Sequence, residues 1–290
     1  MEAPHRRSQA WLRAAQSPES RIERCRESGF SFFSWRPPSA TVCSWPSTPI
    51  PLGEVDLSQD LPALEAKRLT KRFGRSVVLK KIDLALEPNR CHVVFGRNGA
   101  GKSTFLSIAA TLTKPSSGEL LYNGESLTEL GERIRHHIGF VSHHSFAYPD
   151  LTLEENLHFY ARIYGISGKI DQALTWADLD LRRRSPVRSL SRGMLQRFAI
   201  ARALLHEPRL LLLDEPYTAL DARSAERLSE RIGDLKNGTT IVLATHAIER
   251  GVSVADRMLV MEAGRIAFDA TRGTTKEVRR VLLEVGETSL

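Results

Sequence analysis

The chain has little cysteine, no long apolar run, and no lysine in its first sixty residues. Three cysteines in 290 residues (Cys25, Cys43 and Cys91) exclude a disulfide scaffold, and their spacing fits no zinc site. No window of about 18 apolar residues occurs, so no segment reads as a membrane span. Charged residues make up 26%, the ordinary globular share, which excludes wholesale disorder. At 41% hydrophobic residues, a sizeable core is expected. Composition gives a soluble protein of a reducing compartment. The net charge of +7 points to a polyanion, which composition leaves open as nucleic acid, an anionic surface or a polyanionic ligand.

Residues 1–60 differ from the rest. They hold 7 of the 14 prolines, 10 serines and 3 of the 4 tryptophans, and only 10 of the 60 are Ile, Leu, Val or Phe. Such a segment buries too little surface to order itself. Its seven arginines balance seven carboxylates, so the whole +7 belongs to residues 61–290. Glu19, Glu23 and Glu27 argue against a transit peptide, and no apolar stretch of a secretory signal is present. The expectation is a disordered extension or a start assigned too far upstream. A domain follows over 62–270, and 271–290 is read as a weakly patterned tail.

Within the domain, Ala63–Leu69 and Val77–Leu86 alternate and predict an antiparallel pair. Short apolar strands are expected at Cys91–Phe95, Ile138–Ser142, Leu210–Leu213, Thr240–Ala244 and Met258–Met261. Helices are expected at Lys102–Thr111, Thr152–Tyr164, Arg192–Leu205, Ala222–Leu235 and Ala247–Ala255. Thr152 with Glu155 makes a capping box at one of these starts. Alternating strands and helices imply an α/β fold with a mostly parallel sheet covered on both faces.

Between a strand and a helix lies Gly96-Arg-Asn-Gly-Ala-Gly101-Lys102-Ser103, the P-loop pattern. Its glycines let backbone N–H groups turn inward around phosphate, and the helix that follows aims its positive end there. Gly96, Arg97, Asn98, Gly99, Ala100 and Gly101 are expected to cradle the nucleotide, with Thr104 beside them. Lys102 should reach the β- and γ-phosphates, and Ser103 should place its hydroxyl on Mg²⁺. Downstream, four leucines end in Asp214-Glu215, a buried strand that presents an acid to the metal. Glu215, one residue on, is placed to orient or deprotonate the attacking water.

With these motifs in hand, Leu190-Ser191-Arg192-Gly193-Met194 resembles the signature loop of ABC-type ATPases. Phe73 resembles the aromatic that stacks on adenine, and Thr218-Ala-Leu-Asp221 the loop that crosses to a second subunit. His246 resembles the histidine that senses the γ-phosphate. The resemblance runs over roughly residues 62–270. It implies a P-loop core carrying an antiparallel β patch (residues 63–86) and a helical subdomain from about residue 144 to 190. It also implies ATP and Mg²⁺ as ligands, and a homodimer joined through ATP in which Ser191 and Gly193 face the nucleotide on the other chain. A separate membrane-spanning permease would be the partner, with this chain peripheral on the cytoplasmic face of the inner membrane. Nucleic acid is not an expected partner: ABC-type ATPases of DNA or ribosomes need a long coiled-coil insertion or a second cassette. A regulator without turnover would be expected to lack Glu215 or His246.

Three positions depart from the family pattern. Arg192 and Met194 replace the commoner signature ending. His143 stands where a glutamine normally touches Mg²⁺ and the attacking water and couples to the permease. An imidazole lacks the paired donor and acceptor of an amide, and Mg²⁺ prefers oxygen, so coupling is expected to become pH-sensitive. This histidine, the stretch from it to Gly165, and Asp214-Glu-Pro-Tyr-Thr-Ala-Leu-Asp221 further on resemble the haem exporter ATPase of cytochrome c maturation. Drug, lipid and polysaccharide exporter ATPases share the general pattern. Haem ligation by His136, His137, His143 or His144 is not implied.

Overall fold

The computed structural model describes residues 63–131, 133–142, 144–271 and 273–287. The expectations for residues 1–60 and His143 lie outside them. In chain order the strands and helices begin with β1 (Leu64–Phe73), β2 (Ser76–Leu86), β3 (Cys91–Phe95) and α1 (Lys102–Ala109). Next come β4 (Ser117–Tyr122), β5 (Glu125–Ser126), α2 (Leu127–Leu130) and β6 (Ile138–Val141). A helical segment follows with α3 (Leu153–Tyr164) and α4 (Ile170–Trp176), then α5 (Arg192–Leu204), β7 (Leu210–Asp214) and α6 (Ala222–Leu235). The chain finishes with β8 (Thr240–Thr245), α7 (Ile248–Val254), β9 (Arg257–Glu262), β10 (Arg265–Ala270) and α8 (Thr275–Glu287).

The strands form two sheets, a four-stranded one ordered β2-β1-β4-β5 and a six-stranded one ordered β10-β9-β3-β8-β7-β6. The first is antiparallel, as the alternation predicted, but it is larger than the β1–β2 pair. The β4 strand escapes sequence reading because its first half, Ser117-Gly-Glu, is exposed and carries no alternation. In the second sheet all neighbours pair parallel except β9 and β10. Burial on both faces explains the unbroken leucines of β7. Leu210 and Leu212 join a core shared with the antiparallel sheet and α1, while Leu211 and Leu213 face a second core with α5, α6 and α7. A third core, around Leu157, Leu174 and Phe198, holds α3 and α4 to α5.

Ends shift for local reasons. The first helix stops at Ala109 and not Thr111, because Thr111 takes a positive φ of 58°. The capping box at α3 is present: Thr152 Oγ1 accepts from Glu155 N at 3.2 Å, and Thr152 N donates to Glu155 Oε2 at 2.8 Å. The same Thr-x-x-Glu device starts α8, where Glu277 N donates to Thr274 Oγ1 at 3.3 Å. Residues Thr275–Glu287, weakly patterned in sequence, thus form a helix with Val278 fully buried in the second core.

Where β6 meets α5, His206 is half-buried and lies flat against Tyr164, their ring centroids 3.9 Å apart. Its Nε2 donates to Ile138 O at 3.1 Å. Burial pushes its pKa from 6.5 down to about 4, opposed by that hydrogen bond and aided by Arg202, His136 and His137. The unfolded chain therefore takes up a proton near pH 6.5 that the folded chain refuses. Stability is full above that pH and is lost as pH falls towards about 4, by on the order of 3 kcal/mol in total. His92 and His137, also depressed by burial, add slope of the same sign. Urea unfolding at pH 7 and pH 5 should show this loss in wild type and a clearly shallower slope in His206→Phe; equal slopes would refute the assignment.

Candidate nucleotide site

The parallel register brings three strand ends to one edge. Phe95 of β3 pairs with Thr245 of β8, and Ala244 of β8 pairs with Asp214 of β7. The residues that follow these ends, Gly96, His246 and Glu215, therefore emerge side by side. Sites in such sheets form at the carboxyl ends of the strands.

The P-loop leaves β3 through backbone only glycine supplies. Gly96 has φ 156°, and a Cβ there would lie 2.3 Å from Met261 O. Gly101, the N-cap of α1, has φ 109°, and its Cβ would strike Leu79 at 2.7 Å. The turn between β9 and β10 supports the loop from beneath, with Gly264 N donating to Ala100 O at 3.0 Å. Arg97, Asn98 and Gly99 lie exposed along the loop, while Ala100 is buried. At the first turn of α1, Lys102 is buried, Ser103 is exposed and Thr104 is half-buried. Lys102 Nζ donates to Gly96 O at 2.7 Å and Arg97 O at 3.1 Å, so its charge is held inside the loop. Burial depresses its pKa, while the carboxylates of Glu215, Asp214 and Glu262 oppose the shift.

Asp214 ends β7 and is buried. Glu215 follows with φ 51°, a left-handed conformation uncommon outside glycine. That bend, fixed by Glu215 N donating to Ala244 O at 2.8 Å, turns the side chain towards β8. Its Oε2 accepts from Thr245 Oγ1 at 3.1 Å and from His246 N at 3.3 Å, and lies 2.9 Å from His246 Nδ1. Its other oxygen stands 3.9 Å from Lys102 Nζ. The structure thus joins Lys102, Glu215 and His246. Thr245, which fixes the glutamate, was not singled out from sequence; its signal is its place at the end of a strand, directly before His246. A cavity of about 360 Å³ opens beside the group, lined by Gly96, Arg97 and His246 on one side and by Leu282 and Leu283 of α8 on the other.

The remaining candidates form a second group. Ser191 is the N-cap of α5, its Oγ accepting from Met194 N at 3.3 Å. Gly193 abuts the loop after β7, where an added Cβ would lie 2.8 Å from Ala219 O. Asp221 caps α6 by accepting from Ser224 N at 2.8 Å, which holds its carboxyl below the usual range. The loops Ser191–Gly193 and Thr218–Asp221 therefore touch each other, and Ser191 and Asp221 bond within their own helices. Phe73, at the end of β1, presents a ring 53% exposed with Lys71 Nζ 4.8 Å from its centre. Among the described residues, no group of three or more His, Cys, Asp or Glu side chains is arranged to hold a metal ion. The Ser103 hydroxyl and the Asp214 carboxylate, both beside the P-loop lysine, are oxygen donors of the type Mg²⁺ prefers.

Comparison with known proteins places the chain in a family. The profile of the ABC transporter family matches residues 79–218. The chain is 36% identical over 208 residues to Nod factor export ATP-binding protein I of Cupriavidus metallidurans, covering 70% of this chain and 69% of that one. It is 37% identical over 215 residues to the sulfate/thiosulfate import ATP-binding protein CysA of Bradyrhizobium diazoefficiens, covering 70% and 62%. Among solved structures, an ATP-binding subunit of an ABC transporter superposes with a TM-score of 0.71 at 28% identity, over 77% of this chain and 99% of the other. A dimeric ATP-binding cassette in a post-hydrolysis state with ADP and Pi gives 0.67 at 29%, over 73% and 100%.

Proposed function

Because this chain belongs to the ABC transporter family as an ATP-hydrolysing, ATP-binding subunit, we propose that two copies clasp ATP between them and drive a separate membrane permease. The observation that carries this reading is the convergence of Lys102, Glu215 and His246 on one edge of the sheet. P-loop N–H groups and Lys102 bind the phosphates, and Phe73 stacks on the base. Glu215 takes a proton from the attacking water, and His246 reports on the γ-phosphate. Ser103 and Asp214 would hold Mg²⁺, which supplies charge neutralisation on the β- and γ-phosphate oxygens. Ser191, Gly193 and Asp221 face the nucleotide of the second copy. No helix among the described residues is long and apolar enough to cross a membrane, so the path for cargo is assigned to the permease, with this chain on its cytoplasmic side.

Haem export for cytochrome c assembly is the cargo reading supported by the resemblance of residues 143–165. A drug, lipid or polysaccharide exporter is the second reading, favoured by relatives named for Nod factor export. Phosphate release by the purified chain with ATP and Mg²⁺ tests the ATPase, and co-isolation from native membranes tests the permease. Deleting the chain in its own cell separates the cargoes. Loss of c-type cytochromes supports haem; normal cytochromes with another export lost sinks it.

A further inference from the structure

Three arginines from two helices converge on one carboxylate outside the nucleotide site. Asp178, just past α4, sits at φ 54°. Its Oδ2 accepts from Arg227 Nη1 at 2.7 Å and Arg197 Nη1 at 3.3 Å, and its Oδ1 from Arg231 Nη2 at 3.3 Å. Two of these arginines also grip the end of α4 by its backbone. Arg197 donates to Ala177 O at 2.7 Å, and Arg231 donates to Trp176 O while lying 4.8 Å over its ring. The space enclosed is only about 10 Å³, too small for any ligand beyond a single water. The cluster is a brace and not a binding pocket.

What it braces gives it a role. Arg197 lies one turn past Gly193 on α5, and Arg227 and Arg231 lie on α6, whose N-cap is Asp221. These helices carry the two loops that meet where Gly193 packs on Ala219 O. One carboxylate just past α4 therefore fixes the spacing of both. Without it, three guanidiniums would face one another across a partly buried seam, with side chains 21–38% exposed.

We propose that Asp178 is a positioning residue of the ATPase cycle, holding the Ser191–Gly193 and Thr218–Asp221 loops in register so that both reach the second copy's nucleotide together. This rests on the reading that two copies clasp ATP. The test is Asp178→Asn, since asparagine tolerates a left-handed backbone and keeps the shape while losing the charge. In the Glu215→Gln background, the dissociation constant of the ATP-held dimer, measured by analytical ultracentrifugation, should rise about tenfold. In the otherwise wild-type chain, kcat should fall by a similar factor. Affinity of the monomer for a fluorescent ATP analogue should stay unchanged. Adding Arg227→Gln, which relieves the repulsion, should restore part of the dimer. Unaltered dimerisation by the Asp178 variant, or loss of monomer nucleotide affinity, overturns the proposal while the clasp reading stands. Failure of Glu215→Gln alone to dimerise with ATP overturns the clasp reading and this proposal with it.

Discussion

Glu215→Gln will stop turnover while leaving ATP bound. The carboxylate is held from three directions on one oxygen, by Thr245 Oγ1, His246 N and His246 Nδ1. Glutamine keeps the length and one carbonyl acceptor for these donors, so the loop after β7 should retain its bend. It loses the basic oxygen, and removing a general base costs about 10²–10⁴ in rate. Binding should survive, because the P-loop and Lys102 belong to β3 and α1 and their hydrogen bonds to the loop do not pass through Glu215. Phosphate release under saturating ATP, measured beside nucleotide affinity, checks both halves. Wild-type turnover in this variant would remove Glu215 from the base role.

Local rules made much of this readable from sequence. The apolar runs at β3, β7 and β8 are strands buried on both faces, and their positions follow from hydrophobicity alone. The capping box at Thr152 and the glycines of the P-loop are short-range signals too. Long-range contacts were hidden. Nothing near Glu215 announces that Thr245 will hold it, since that contact depends on β7 and β8 pairing in a particular register. Asn156 is a second example. It is fully buried and ties Tyr148, Leu151 and Thr152 to α3 through its amide, yet in sequence it is one polar residue in an amphipathic helix. Strand β4 and helix α8 were missed for a different reason: each buries only part of its length, so its pattern is weak until its neighbours are in place. The Asp178 brace depends likewise on three helices meeting.

Lys102→Ala should sharply weaken nucleotide binding itself. In the folded chain the ammonium is buried, and its charge is satisfied by two loop carbonyls at 2.7 and 3.1 Å and by Glu215 at 3.9 Å. A nucleotide brings phosphate oxygens that replace these partners with stronger, fully charged ones. Hydrogen bonds to charged groups contribute about 1.5–3 kcal/mol each, so loss of the ammonium should weaken ATP binding about tenfold to a hundredfold or more. The fold should tolerate the change, because burial already disfavours the charged lysine and alanine is a good helix former at the start of α1. A second cost falls on the site. Asp214 and Glu215 would lose the cation that offsets their charge, and a polyphosphate would meet two carboxylates without it. Calorimetric titration with ATP, together with thermal unfolding of the variant, separates the two effects: affinity should collapse while the unfolding midpoint stays close to wild type. Retained affinity would mean that the backbone N–H groups of the loop bind the phosphates unaided, and that the lysine only shapes the loop.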